Sequence, residues 1–477
     1  MLQPLLDNSR KTKTSQSASI PAPVKGWNAR DSLANMPEDY AVDLENIFPN
    51  LTSCDLRSGF ESHSTGNGSG AVETLVEYAG VSNSKLLCAA GSVIYDASEA
   101  GGSTSIATGK SNAQWQTTMF GTAGGNFLFM VNGADAPIYY NGSAFVTPTL
   151  GGVTATDIVN VAAHQRRLFF VFNDSLIFGY LPVVSDLFVA ITSEGECIIY
   201  SGNDPSSSTA WNLVGVFNIG KPIGNRCIEK VGSDFVVITQ DGAILLSTFL
   251  PIDQVASYSQ AITNNIQNEF LQSARDYSHI YGWQSIHYPQ GSFSLFNIPN
   301  STTESVQYVV NSQTGAWCKF TGQNAACWSL FKGNLYFGAQ DGGVVYKADT
   351  GTDDNGSNID WKIRPAFSYF GTRGNQKLFT LCRPHFQSNG PPEYAIDLNV
   401  NFTNISPTSV PTAQTSSNAL WDTAKWDEAL WADEVISDAW TTVYGLGECA
   451  SPTIRGSMKL TMSFRAYDML WQTGSSI

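Results

Sequence analysis

The residues that could do chemistry in this sequence are few, and none falls into a complete catalytic or metal-binding motif. The run 349–356 has the aspartates and glycine of a calcium loop, but Gly351 stands where an EF-hand needs an aspartate and Lys362 where it needs a glutamate. The glycine-rich run 66–70 lacks the lysine that follows a phosphate-binding loop. We therefore interpret both runs as polar loops, and we expect no cofactor, no metal and no enzymatic activity.

A glycan-directed activity is the alternative that the motifs leave open. The segment 312–317 is similar to the Ser-x-Asp-x-Gly-x-x-Trp turn of sialidase-type propellers, but Thr314 replaces the aspartate, and Gly315 and Trp317 are displaced. Glycosidases use a pair of carboxylates, and sequence alone selects no pair among 41 acidic residues. The alternative function is therefore a monomeric propeller that binds or cleaves surface glycans in an acidic and aromatic central pocket.

The elements that must position any site are β-strands. Of the 477 residues, 42% are hydrophobic, which suffices for a large core, whereas only 14% are charged, against about 25% in typical soluble proteins. The solvent-facing polarity must therefore come from neutral residues. Together with 42 glycines for turns, this composition is typical of an all-β protein and argues against helical bundles.

One pattern recurs along the chain: an alternating apolar run, a turn of Gly, Asn or Asp, and a second apolar run. Six copies occur, at 85–95, 126–140, 167–178, 234–246, 292–310 and 333–346. The first three begin about 40 residues apart, a spacing typical of propeller blades. The sequence therefore predicts an irregular β-propeller of about six blades, with an irregular array of β-sandwiches as the alternative.

Three domains are predicted around this repeat. Residues 1–25 are rich in Ser, Thr and Lys and are expected to form a flexible N-terminal arm. Residues 26–365 are expected to form the propeller core. Residues 366–477 are expected to form an additional C-terminal β region with a tryptophan-rich segment, in which Trp recurs every five residues.

A helical insert is expected near 253–275 within the core. Apolar residues there recur at helical spacing, and Asp253 is placed to cap the helix. The residues of this face are Val255, Tyr258, Ile262, Ile266 and Phe270.

Charge and cysteine content exclude several functions. The net charge of −15 disfavours sequence-specific DNA binding, because phosphate contacts need Lys and Arg. Residues 1–30 carry a net charge of +4, and residues 391–450 carry −8. No apolar run is long enough to span a membrane, and no secretion signal is recognised. The eight cysteines lack CxxC pairs, so we expect reduced thiols in the core.

Several segments resemble the tail nozzle (tail hub) proteins of short-tailed bacteriophages, the podovirus-type packaged-DNA stabilisation proteins. The likeness begins with Gly26-Trp-Asn-Ala-Arg-Asp31 and continues through 36–49 and Leu56-Arg-Ser-Gly59. It extends through 200–242 and 311–317 to the tryptophan-rich end, so it covers about residues 26–477. The shared motifs are sparse and contain no catalytic residues.

The resemblance implies a structural virion protein with a β-propeller core. Nozzle proteins form a homohexameric ring below the portal and adaptor rings, as part of the head-to-tail connection. The channel of that ring serves genome retention and DNA ejection. The implied partners are the adaptor and portal ring proteins, tail fibres, spikes or a needle, and viral double-stranded DNA that passes without sequence-specific binding. The implied localisation is the virion tail, assembled in the host cytoplasm.

Three groups of candidate site residues follow from charge and aromatic content. An acidic channel lining would repel DNA and centre it; the candidates are Asp422, Asp427, Glu428, Asp433 and Glu434. Tryptophan is favoured at the centre of interfaces, and the candidates for a subunit interface are Trp421, Trp426, Trp431 and Trp440. The basic arm could dock on the adaptor ring through Arg10, Lys11 and Lys13.

Overall fold

The computed structural model describes residues 15–81, 83–164, 167–173, 177–183, 187–202, 209, 211–232, 234–249, 261–405, 435–437 and 439–473. The chain divides into two compact units. The central unit comprises Arg57–Ile359, and the terminal unit combines the described residues up to Leu56 with those from Asp360 onward. Nearly all regular structure in the described residues is β-strand, so the chain is an all-β protein as expected.

The described strands of the central unit form seven sheets, numbered here in chain order. Sheets 1 and 2 contain Val72–Ala79, Ser84–Ala90, Val93–Asp96 and Thr104–Ala107, and then Gln116–Thr122, Gly125–Val131, Ile138–Tyr140 and Phe145–Val146. Sheets 3 and 4 contain Ile158–His164 and Arg167–Phe172, and then Ile177–Val183, Leu187–Thr192, Glu196–Gly202 and Trp211–Asn218. Sheets 5 and 6 contain Ile228–Val231, Asp234–Thr239 and Gly242–Leu245, and then Gln284–Tyr288, Phe293–Pro299, Ser305–Asn311 and Trp317–Phe320. Sheet 7 contains Ala325–Phe331, Asn334–Ala339, Val345–Ala348, Phe60–Thr65 and Gly101–Gly102.

Sheet 7 joins the beginning of the central unit to its end. The strand Phe60–Thr65 pairs antiparallel with Val345–Ala348. A buried hydrophobic cluster contains residues of both sheet 1 and sheet 7, with Val72 and Leu86 from the first and Cys327 and Val345 from the last. The last sheet of the unit is thus completed by the first strand and packs against the first sheet.

Five of the six predicted hairpins are confirmed by paired strands. In the first, Gly91 takes a positive φ of 57° in the turn between Ser84–Ala90 and Val93–Asp96, a conformation that glycine adopts at low cost. The third prediction, 167–178, is wrong. Arg167–Phe172 pairs instead with Ile158–His164, and Ile177–Val183 pairs with Leu187–Thr192 in the next sheet. A run of apolar residues does not specify which neighbour it pairs with.

The helical insert lies between sheets 5 and 6, as expected, but its described part is shorter. A 3-10 turn covers Ile262–Ile266, and an α-helix covers Gln267–Tyr277; a second helical turn covers Leu246–Phe249. Ile266 and Phe270 are buried, which agrees with the predicted apolar face. The predicted start at 253 and the cap Asp253 lie outside the described residues.

The terminal unit is built from both ends of the chain. One group of paired strands contains Ser15–Pro21, Ile47–Pro49, Cys54–Leu56, Lys377–Ser388, Val435–Ser437, Thr441–Gly447 and Met462–Thr473. A second contains Ala41–Glu45, Ile359–Pro365, Tyr394–Val400 and Ala450–Met458.

This pairing changes two predicted boundaries. Ser15–Pro21 is not part of a flexible arm, because it pairs along its length with Met462–Thr473 and buries Ile20. The segment 26–56 belongs with the C-terminal β region rather than with the predicted core 26–365. Its strand Ala41–Glu45 pairs with 362–365. Residues 1–14 lie outside the described part of the chain.

Candidate functional site

A polar cavity of about 340 Å³ lies in the central unit. Its wall is formed by the first strands of sheets 1, 2, 3, 5 and 6, or by residues directly preceding them. Five sheets therefore contribute to one cavity, which we call the central cavity. Its volume falls at the lower end of the range found for small-molecule sites.

Arg226 provides the cationic group of the cavity wall. Its Nη2 donates hydrogen bonds to Thr74 Oγ1 at 2.8 Å and to the Trp115 carbonyl oxygen at 3.2 Å. The guanidinium also lies 5.4 Å from the ring centre of Tyr281, within the range of a cation–π contact. These contacts from sheets 1 and 2 hold the cation in place.

Glu229 provides the carboxyl group of the same wall. Burial raises its pKa to about 7, against a hydrogen bond from the His287 backbone that lowers it. The backbone of Arg226 pairs with that of Gln284 in a parallel bridge. Three residues further along both segments, the Glu229 carboxyl accepts a hydrogen bond from the His287 backbone. Three residues of strand span about 10 Å, so the backbone positions of Arg226 and Glu229 lie about 10 Å apart.

Three buried polar groups on the wall have no hydrogen-bond partner among the described residues. They are Trp115 Nε1, Gln116 Nε2 and Ser285 Oγ. Their residues are exposed by 1%, 7% and 3%. Buried polar groups are nearly always paired in folded proteins, so this cluster indicates room for bound water or a ligand.

The terminal unit presents an exposed apolar stripe. The strand Thr441–Gly447 alternates in burial, so that Tyr444 is 80% and Leu446 53% exposed on the face opposite to buried Val443. Trp440 immediately precedes the strand and is 40% exposed. We call Trp440, Tyr444 and Leu446 the terminal stripe.

Trp440 is held by a charged cluster in the same unit. The Arg383 guanidinium lies 4.6 Å from the Trp440 ring centre, and its Nε donates to Asp468 Oδ2 at 3.0 Å. His385 Nε2 lies 3.0 Å from the same oxygen. Burial raises the pKa of Asp468, but hydrogen bonds from Arg383, Ser19 and His385 outweigh it and hold the pKa below its usual value. This orders Trp440 without removing it from solvent.

The central unit presents a second apolar surface at the edge of sheet 4. The strand Trp211–Asn218 is the last of that sheet and pairs with Glu196–Gly202. Leu213, Val214 and Val216 are each more than half exposed. We call these three residues the sheet 4 edge. Exposed apolar residues grouped on an edge strand mark an interaction surface or an aggregation hazard.

Most of the predicted site residues lie outside the described part of the chain. This holds for the five channel acids, Asp422, Asp427, Glu428, Asp433 and Glu434. It also holds for Trp421, Trp426 and Trp431, and for the arm residues Arg10, Lys11 and Lys13. Trp440 alone of the predicted residues is described, and it lies at the surface.

The central cavity was missed by the sequence analysis. Arg226 and Glu229 stand only three positions apart in a chain poor in charge, and that scarcity was the one signal available. Their shared cavity depends on strands far apart in sequence.

The described residues contain no helix long and apolar enough to cross a membrane. They also contain no group of three His, Cys, Asp or Glu side chains placed to hold a metal ion. All eight cysteines lie in the described part, where they are buried and unbridged, which confirms the predicted core thiols.

No family model and no curated protein matches the chain. Among solved structures, the chain is similar to the computationally designed Ika8 protein, with 7% identity and a TM-score of 0.34 over 60% of this chain and 99% of that chain. It is similar to Chaetomium thermophilum Raptor, with 7% identity and a TM-score of 0.37 over 62% and 30% of the two chains. It is also similar to the exo-beta-1,3-galactanase of Phanerochaete chrysosporium, with 9% identity and a TM-score of 0.26 over 76% of this chain and 98% of that chain. These likenesses are too weak to support a functional argument.

Proposed function

We propose that this chain is a structural protein of a short-tailed bacteriophage tail that assembles with further copies of itself into a nozzle ring. The ring would hold the packaged genome and conduct it during ejection, without catalysis. The observation that carries the proposal is the pair of exposed apolar surfaces, the terminal stripe and the sheet 4 edge. A ring of identical chains needs two different surfaces that meet between neighbours, and these two are of different composition and lie on different units.

We further propose that the seven sheets of the central unit are the blades of a β-propeller, one more than the six predicted. Two observations support this arrangement. The strand Phe60–Thr65 completes the last sheet, and one hydrophobic cluster joins the first and last sheets. Strands of sheet 4 outside the six counted hairpins supply the additional blade.

The composition of the central cavity favours a structural role over the glycan alternative. Its described wall contains one carboxyl group, Glu229, where glycoside hydrolysis uses two. Trp115 is the tryptophan of that wall, and its ring packs in a hydrophobic cluster with residues of sheets 1 and 2, so its faces are covered and a sugar has no open face to stack on. The described wall therefore lacks the paired carboxylates and the open aromatic ring that the glycan alternative predicts.

The partners of the ring follow the same proposal. The acidic segment 391–450 would face the channel, where negative charge repels DNA and keeps it from binding. The basic residues Arg10, Lys11 and Lys13 would dock on the adaptor ring. Both statements rest on charge in the sequence.

The two surfaces can be tested by cross-linking, because the eight native cysteines are buried. Burial also raises the pKa of seven of these thiols, for example that of Cys227 to about 12. The double variant Val214→Cys/Leu446→Cys, treated with a short bis-maleimide, should give a ladder of covalent multimers on a denaturing gel. Each single variant should not, because in a ring each surface meets the other one.

A matched control is the double variant Leu51→Cys/Val81→Cys, whose residues are even more exposed but lie outside both surfaces. An equal ladder from this control, or no ladder from the first variant at concentrations where the chain self-associates, would contradict the proposed interface.

A further inference from the structure

The central cavity contains more hydrogen-bond donors than the described protein groups satisfy. Trp115 Nε1 and Gln116 Nε2 can only donate, and Ser285 Oγ can donate or accept. None has a partner among the described residues. Each belongs to a residue more than nine-tenths buried, so bulk water does not satisfy these groups.

The residues of these groups line the same cavity as one cation. Trp115 accepts a hydrogen bond from Arg226 through its carbonyl oxygen, and Gln116 is its chain neighbour. Ser285 follows Gln284, the residue that bridges to Arg226. All three residues line the same cavity as the guanidinium.

Arg226 has no ion-pair partner in the described part of the chain. The carboxylate of Glu73 is engaged by Gln114 Nε2 at 2.9 Å, and its backbone oxygen by the Tyr281 hydroxyl. Glu73 does not line the cavity, and the carboxyl residue that does, Glu229, lies about 10 Å from Arg226 along the strand. The two N–H groups of Nη2 go to Thr74 and Trp115, so the N–H groups of Nη1 and Nε are the ones that can donate to a planar or tetrahedral oxyanion.

We propose that the central cavity is a binding site for one small oxyanion, of the size of inorganic phosphate or a short carboxylate, held by Arg226 and by the unpaired donors of Trp115, Gln116 and Ser285. A ligand rich in acceptors matches a wall rich in donors. The cavity is large enough for such an ion with its water. The proposal does not depend on ring formation, since every residue named lies within the central unit.

The test uses the full-length chain and inorganic phosphate, with acetate as the carboxylate probe and chloride at matched ionic strength as the salt control. Isothermal titration should show saturable binding of about one phosphate per chain, and phosphate should raise the thermal midpoint more than chloride does. Arg226→Gln should weaken phosphate binding by about tenfold or more, since a charge-assisted hydrogen bond is lost. Ser285→Ala, a milder change that preserves the cation, should weaken it by about threefold.

The matched control is Lys230→Gln, which removes an exposed cation four residues away that does not line the cavity. It should bind phosphate as the unmodified chain does. Phosphate stabilisation no greater than that of chloride, or equal in Arg226→Gln and Lys230→Gln, would overturn the proposal and leave water as the occupant. Saturable binding of a neutral monosaccharide with no response to phosphate would also overturn it. Ring formation measured on the same samples separates this result from the proposed function.

Discussion

The two units of the chain are connected in opposite ways. In the central unit, most strands pair with the next strand in sequence, as in the meander of sheet 2. In the terminal unit, pairing joins the ends of the chain, with Ser15 opposite Gln472 and Cys54 opposite Phe464. Local pairing closes short loops, whereas the terminal unit must bring together segments separated by the whole central unit.

This difference in strand pairing determines which changes should destabilise each unit most. A central sheet can form from its own segment of chain, and the weak point is sheet 7, where the first strand of the central unit pairs with its last strand; we call this pairing the junction. In the terminal unit, the strand Ser15–Pro21 depends on pairing with Met462–Thr473, at the other end of the chain. We therefore expect single changes at the junction of the central unit, and truncations of the terminal unit, to have the largest effects.

The largest effect is expected at the buried ion pair beside the junction. Arg57 Nη1 and Nη2 donate to the two carboxylate oxygens of Asp354 at 2.8 and 2.6 Å, and Nη2 also donates to the Thr321 carbonyl oxygen. Arg57→Met leaves the Asp354 carboxylate buried without its partner, and it should lower the free energy of unfolding by about 3–5 kcal/mol in urea titrations.

Two control variants test whether the effect comes from the buried ion pair. Lys25→Met removes an exposed pair with Asp39 in the terminal unit and should cost less than about 1 kcal/mol. Arg57→Met/Asp354→Leu should recover most of the loss, because it removes both charges. Equal losses for Arg57→Met and Lys25→Met would contradict a special role of the junction.

The next largest effect is expected from truncating the terminal unit. Deleting residues 1–21 removes a whole strand and the burial of Ile20, and it should cost about 2–3 kcal/mol. Deleting only residues 1–14 keeps that strand and should leave unfolding unchanged. If both deletions unfold alike, the strand does not stabilise the unit.

A smaller effect is expected at Glu229, and it depends on pH. Burial raises the pKa of Glu229 in the folded chain to about 7, above the 4.5 of a free glutamate. Ionisation therefore costs stability progressively as the pH rises from about 4.5 to 7, and the cost is constant above that range. Glu229→Gln should be more stable than the unmodified chain at pH 8, by about 1–2 kcal/mol for this half-buried group. The difference should vanish near pH 4, as measured by urea unfolding at both values; a difference independent of pH would refute this.

The smallest effect on stability is expected at the terminal stripe. Tyr444→Ser and Leu446→Ser change exposed side chains and should alter the free energy of unfolding by less than about 0.5 kcal/mol. Val443→Ser, its buried neighbour on the same strand, should cost several times more. Sedimentation should show that the two exposed variants lose self-association while remaining folded. Unchanged association would exclude the stripe from the interface.

Local patterns predicted the central unit well and the terminal unit poorly. Runs such as 234–246 contain both strands and the turn, so alternation and an Asp-Gly pair suffice to predict the hairpin. The third hairpin failed because Arg167–Phe172 has apolar neighbours on both sides and pairs with the earlier one. The pairing of Ser15–Pro21 with Met462–Thr473 cannot be predicted from the local sequence, because the two strands lie at opposite ends of the chain. A Ser-rich segment with one buried residue is instead typical of a loop.

The candidate sites divide in the same way. Trp440 was a candidate from the sequence because tryptophan is favoured at the centre of interfaces; the structure shows that it is exposed, and its place in a subunit interface stays a prediction. Arg226 and Glu229 could not be predicted, because a charged residue in a strand faces a cavity only when strands of distant sheets converge on it. The Leu56–Gly59 motif was part of the family resemblance, but its sequence did not indicate a partner. In the structure, Arg57 of this motif pairs with Asp354, almost 300 positions later.

The most direct test of the proposed nozzle is the mass of the purified full-length chain by light scattering, combined with negative-stain images. We expect a species near six times 51.6 kDa, with six-fold rings and a central hole, and we expect Tyr444→Ser/Leu446→Ser to be monomeric under the same conditions. A monomer at every concentration, unchanged by the two substitutions and forming no ring on the adaptor, would contradict the proposed function.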